Sequence, residues 1–345
     1  MTGKLYKYLW FPFILLGFLA ANESDSWKTH KIVELTGVYD INANGRAEYF
    51  VVLENGIAYG SPLIIRHVEI GGDGYQQTLW ELSLPEDVYG DYIGLKLADL
   101  AGDNVPELVI LMNISELDQD GARKPILYVF QFEDDSFGEF PVSSLDLSDS
   151  LGYLLSNNIQ CLDRNGDNDD ELVITLGSPR RSIILIDQME NNELAVISEL
   201  TPESLNSGSG FIYTAVIDHD HNGYDDLIAF SPVGDILIIQ PYYNNSGSLE
   251  AAEPVQQKIS GLHGLLPRSI TVSDWDADGF DDIILPFQSG HVIAMTMTSV
   301  GVPVAELPIE AGPLSDIRVA DFNQDDYLDL LLVSAEMNML SIFYG

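Results

Sequence analysis

Cysteine is nearly absent from this chain. Cys161 is the only one among 345 residues, so no intrachain disulfide can form and stability must come from elsewhere. It sits in the alternating stretch 158–162, where a buried core thiol is expected rather than a nucleophile. Positive charge is scarce too: 15 Lys plus Arg stand against 54 Asp plus Glu, a formal net charge of −39. Such a surface repels nucleic-acid phosphates and anionic lipid headgroups and attracts cations. The six histidines, at 30, 67, 219, 221, 263 and 291, show no metalloprotease or triad spacing. Phosphate-cradling loops, dinucleotide fingerprints and nucleophile elbows are missing. Long apolar runs are missing beyond the N-terminus, so no stable membrane span is expected in the mature chain. With 46% hydrophobic residues, however, the chain is far from the composition of a disordered acidic tail.

The N-terminus has the layout of a secretory signal. Lys4 and Lys7 precede an apolar stretch at 9–21, and the polar residues Asn22, Glu23, Ser24 and Asp25 follow. The stretch is shorter than the ~20 residues that a membrane span requires, and Pro12 interrupts it. Cleavage is expected after Ala21, leaving 22–345 as one mature domain. The expected location is extracellular, cell-surface or periplasmic.

What the chain does have is a repeat. A nine-residue pattern opens at Asp40, Asp99, Asp163, Asp218, Asp274 and Asp321, with spacings of 59, 64, 55, 56 and 47 residues. A period in the fifties suits a four-stranded propeller blade better than a helical solenoid. Each copy is followed by an unbroken apolar run, at 49–52, 108–111, 172–174, 227–230, 283–285 and 330–333, as expected of strands buried on both faces. Alternating segments such as 126–131, 182–187 and 236–240 follow. The expected fold is all-β, a β-propeller of about six four-stranded blades, with too little chain for a seventh. The final residues 339–345 make a third strand; either segment 25–30 supplies a closing fourth, or the ring is open and completed by a partner, or the chain is truncated.

The pattern places oxygen donors at positions 1, 3, 5 and 9. The candidate metal ligands are Asp40, Asn42, Asn44 and Glu48; Asp99, Asp103 and Glu107; Asp163, Asn165, Asp167 and Glu171; Asp218, Asp220, Asn222 and Asp226; Asp274, Asp276, Asp278 and Asp282; and Asp321, Asn323, Asp325 and Asp329. Ca²⁺ takes six to eight hard oxygens at about 2.3–2.6 Å, and a tight acidic loop can converge them. Position 6 must turn sharply, which suits Gly45, Gly223 and Gly279 and is tolerated by Asn104, Asn168 and Asp326. The loop at 99 has Ala101 in place of a third-position donor, which leaves its capacity for metal open. His219 and His221, at positions 2 and 4, are expected to be solvated. Tyr242 and Tyr243 are expected on the calcium-loop side.

On these loops the sequence resembles the FG-GAP/VCBS repeat family, the calcium-loop propellers related to the integrin α-subunit head, over residues 31–345. The Phe-Gly and Gly-Ala-Pro signatures are largely lacking, which favours the bacterial-type VCBS branch. The resemblance implies an extracellular role in adhesion, recognition or assembly, with a protein or surface glycan as partner and no catalysis. The partner would dock away from the metals, against loops such as 113–124, 201–210 and 260–268. The alternative is a polysaccharide-active lyase or hydrolase on the same scaffold.

Overall fold

The computed structural model describes residues 30–344 apart from 36–38, 56–62, 72–74, 85–87, 117–123, 149–151, 190–191, 206–211, 263–266, 268, 288, 297–303, 308–313, 315, 321–326 and 335–338. The expected signal peptide and nearly all of the closing segment fall outside the described residues, as do most of the expected docking loops. The structure is all-β and antiparallel. Among the described residues the one regular element that is not a strand is a single 3-10 turn, Glu203–Leu205.

The chain divides into two compact units, Met1–Leu97 with Asn104–Asp149, and Ala98–Asp103 with Ser150–Gly345. In the first unit His30–Leu35, Ala47–Asn55, Leu63–Ile70 and Gln76–Ser83 form a four-stranded meander in chain order. A second meander follows through Val88–Ala98, Glu107–Glu116, Lys124–Phe130 and Ser143–Asp146. Between its last two strands the small hairpin Phe132–Glu133 and Ser136–Phe137 is inserted, turning at Asp134 and Asp135, both at positive φ. Trp80 ties the insertion down by donating its Nε1–H to the Gly138 carbonyl at 2.9 Å. Phe50, Ile65, Trp80, Leu108, Ile110, Phe130 and Phe137 make this unit's main core.

The second unit repeats the plan. Gly152–Leu162, Glu171–Pro179, Ser182–Gln188 and Leu194–Leu200 form one sheet; Tyr213–Ile217, Asp226–Val233, Ile236–Asn244 and Leu249–Ala251 form the next, with Val255–Lys258 also pairing on Ile236–Asn244. Thr271–Ser273, Asp282–Pro286, Val292–Met295 and Val304–Leu307 form a third, and Asp316–Ala320, Asp329–Ser334 and Met339–Phe343 a three-stranded fourth. The second strand of each sheet carries the apolar run read from the sequence, and in Asp226–Val233 it is buried because its sheet packs on both sides. Thus Ile228 and Phe230 share one core with Ile283 and Leu285 of the following sheet, while Leu227 and Ala229, on the other face, share another with Val173 and Leu185 of the preceding one.

One expectation about the core is corrected. Cys161 is half-buried rather than buried. Cys161 stands one residue from the end of Gly152–Leu162, beside the solvated loop that opens at Asp163.

Candidate metal centres

Each acidic loop joins the first and second strands of its sheet, so its last residue is the first of a buried strand, or in Ala47–Asn55 the second. The acids at position 9 are accordingly all buried: Glu48, Glu107, Glu171, Asp226, Asp282 and Asp329. A buried carboxylate needs hydrogen bonds or a counter-charge. Part of that need is met by the loop itself, because the backbone N–H of position 2 donates to the position-9 carboxylate. Ile41 donates to Glu48 Oε2 at 3.3 Å, Arg164 to Glu171 Oε2 at 2.8 Å, His219 to Asp226 Oδ2 at 3.0 Å and Trp275 to Asp282 Oδ2 at 2.9 Å.

Position 1 closes the loop from the other side. Asp218 accepts the N–H of Asn222 at 3.1 Å and of Gly223 at 3.0 Å, and Asp274 those of Asp278 and Gly279, each at 3.1 Å. Asp40 accepts from Gly45 and Asp163 from Gly166 and Asn168. These bends need left-handed backbone at two positions. Position 6, expected from the sequence, has φ of 81° at Gly45, 64° at Asn104, 72° at Asn168, 87° at Gly223 and 94° at Gly279. Position 4 was not expected, yet Ala43, Gly102, Gly166, His221 and Ala277 all have positive φ. Two alanines and a histidine carry no signature for that conformation.

Among the described residues, two loops gather three carboxylates each. One oxygen from each of Asp218, Asp220 and Asp226 lies within 4.8 Å of the others, and the same holds for Asp274, Asp276 and Asp282. That span is about twice a Ca–O bond, so a single cation can touch all three. Burial raises the Asp226 carboxyl to about 6, against the pull of the N–H groups of Asn244 and His219, and the charges of Asp220 and Asp218 push it the same way. A hard cation would relieve this repulsion, and the donor set, all oxygen, fits one. Asn222 and Asp278 complete the two sets at position 5, each holding its loop by accepting the N–H of position 7.

The other loops differ. In the first, Asn42 and Asn44 replace two acids, and Asn44 Nδ2 donates to Glu69 Oε2 at 2.5 Å. Glu48 Oε2 meets His67 Nε2 at 2.9 Å, while Glu48 Oε1 is buried with no hydrogen-bond partner, an open oxygen that suits a cation. In the third loop Arg164 reaches Glu171 Oε1 at 3.2 Å. Burial still raises the Glu171 carboxyl, although the Arg164 backbone N–H and guanidinium pull it down. Asp163, Asn165 and Asp167 stand in the same loop order as in the fourth. Asp99 accepts the N–H of Asp103 at 3.0 Å, as position 1 does elsewhere. Asp321, Asn323 and Asp325 lie outside the described residues.

The expectation that both loop histidines are solvated is corrected for His219. It is buried, its ring stacked on Tyr243 at a centroid distance of 5.3 Å, because Asn244, the neighbour of Tyr243, is bonded to Asp226 and holds that strand end against the loop. His221 is exposed, as expected. Tyr243 lies beside the loop, on the side expected of it.

No family model matches the chain, and no curated protein matches its sequence. Solved structures do share its fold. An exotype rhamnogalacturonan lyase, YesX, aligns with a TM-score of 0.50 at 12% identity, over 84% of this chain and 56% of that one. The rhamnogalacturonan lyase YesW gives 0.49 at 15% identity over 84% and 58%, and a rhamnogalacturonan lyase from Bacillus licheniformis 0.49 at 13% over 91% and 66%. The chain therefore spans less than two thirds of the length of these proteins. The expectation of binding without catalysis is corrected on this likeness, since the structure that aligns at a TM-score of 0.50 is that of a lyase.

Proposed function

We propose that the chain is an exported, calcium-loaded propeller of six four-stranded blades that acts as a lyase on an acidic polysaccharide of the rhamnogalacturonan type. The carrying observation is the recurrence of one acidic loop at the head of every sheet, on a fold shared with a rhamnogalacturonan lyase. Kinship with the FG-GAP/VCBS repeats belongs to the same reading and rests on the loops alone. Asp218, Asp220, Asn222 and Asp226, and Asp274, Asp276, Asp278 and Asp282, would hold the best-formed cations; Asp40, Asn42, Asn44 and Glu48, and Asp163, Asn165, Asp167 and Glu171, weaker ones. Bound calcium supplies a hard positive charge that holds the loops and neutralises carboxylates. That role is chemically apt, because a chain of net charge −39 would otherwise repel a polyuronate. The chain's own carboxylates set the loops, and the buried strands behind them keep the loop ends rigid.

The test is incubation of the purified protein with rhamnogalacturonan and with a neutral glycan, in calcium and in EDTA. The expected result is ultraviolet absorbance from new unsaturated uronate ends, only on the acidic polymer and only with calcium. Intact polymer in every condition would sink the lyase reading.

A further inference from the structure

The loops that open at Asp99, Asp163, Asp218 and Asp274 are joined in sequence through positions 1, 4, 7 and 8, the last pair through positions 4 and 7 alone. The acid at position 8 reaches back to position 1 of the loop before it. Asp170 Oδ2 accepts the N–H of Asp99 at 2.8 Å while the Asp170 N–H donates to the Asp99 carbonyl at 2.8 Å. Asp225 Oδ2 accepts the N–H of Asp163 at 3.1 Å. Position 7 meanwhile packs on position 4 of the preceding loop. A Cβ on Gly102 would overlap Asp169 Oδ1, one on Gly166 would come within 2.8 Å of Tyr224 Cε1, and Phe280 packs on His221 with ring centroids 4.3 Å apart. Asn244 locks the third and fourth loops further: its Nδ2 donates to the carbonyls of Arg164 at 2.6 Å and Asp225 at 2.9 Å, and its N–H to Asp226 Oδ1 at 2.6 Å.

We infer that these loops bind calcium as one coupled series, with Asp170 and Asp225 at position 8, and Asn244, as the positioning residues that carry loading from each loop to the one before it. The inference rests on the proposed calcium loading of the loops. Its physical basis is short. Asp225 is the chain neighbour of Asp226, a ligand of the fourth loop, and it fixes the backbone of Asp163, a ligand of the third. A cation that orders the fourth loop therefore orders the acceptor that shapes the third, and the second cation has less disorder left to remove. At Gly102, Gly166 and His221 the positive φ accompanies this contact between position 4 and the next loop.

Calcium titration calorimetry on the whole chain tests this. Asp220→Ala removes an exposed ligand of the fourth loop. Coupled loops predict that the remaining sites also weaken, by about fivefold or more. Asp225→Ala changes no ligand yet should weaken calcium binding similarly, while Asp225→Asn, which keeps an acceptor oxygen, should retain it. Tyr224→Ala serves the same purpose if Asp225→Ala does not fold. Loss of one site with unchanged affinity elsewhere, or an unaltered Asp225→Ala isotherm, overturns the coupling and leaves the calcium reading standing. Absence of any calcium heat overturns both, whatever the polysaccharide assay shows.

Discussion

Asp226 is where charge and burial conflict most openly. Its carboxyl is fully buried and raised to about 6, whereas in the unfolded chain it titrates near the ordinary aspartate value. Between those values the folded form binds the extra proton, so this group's contribution to stability grows as pH falls through 6 and is lost as pH rises through it. Asp170, Asp225 and Asp281 are raised in the same direction, first by burial. In EDTA, acidifying from about pH 7 to about pH 5 should therefore raise the melting temperature. With saturating calcium the sign reverses, because protons compete for the same oxygens. Melts at the two pH values, with and without calcium, check both signs; equal slopes in the two series would remove Asp226 from the metal site.

At the scale of the element, stability resides in the second strands. Phe230 is fully buried in a core shared by two sheets, so Phe230→Ala should cost about 3–5 kcal/mol in denaturant unfolding. A loss under about 1 kcal/mol would mean the sheets do not pack as described. These strands were legible because unbroken apolar runs such as 227–230 and 283–285 bounded by Asp and Gly admit few other readings. The loops were legible where chemistry marks them, at Gly223 or Asp226. The left-handed Ala43 and Ala277 were not, because alanine has no intrinsic preference for that conformation. The burial of His219 was equally hidden, since it depends on Tyr243, two dozen residues away and on another strand. The hairpin Phe132–Glu133 with Ser136–Phe137 escaped notice because its strands are two residues long.

For the whole molecule, the dominant fact is a charge of −39 with acids concentrated at the loops. A calcium concentration tenfold above the dissociation constant stabilises by about 1.4 kcal/mol per site, and several sites act together. Melting in millimolar calcium should therefore exceed melting in EDTA by many degrees. Magnesium should do much less, because it demands tight octahedral geometry and sheds water reluctantly. Coincident melts in all three would reduce the loops to turns. The polysaccharide reading was present in the sequence only as an alternative, since nothing in the acid pattern separates a binding scaffold from an enzyme.

The buried acid that opens each second strand has a consequence for folding. An antiparallel strand that slides by one residue exchanges its two faces. In Asp226–Val233 such a slip would carry a carboxylate to the place now held by Leu227, between two apolar sheets and away from the N–H groups of His219 and Asn244. The penalty falls on the misaligned state alone, so each of these acids serves as a register pin, and neighbouring sheets are kept from settling one step out of line.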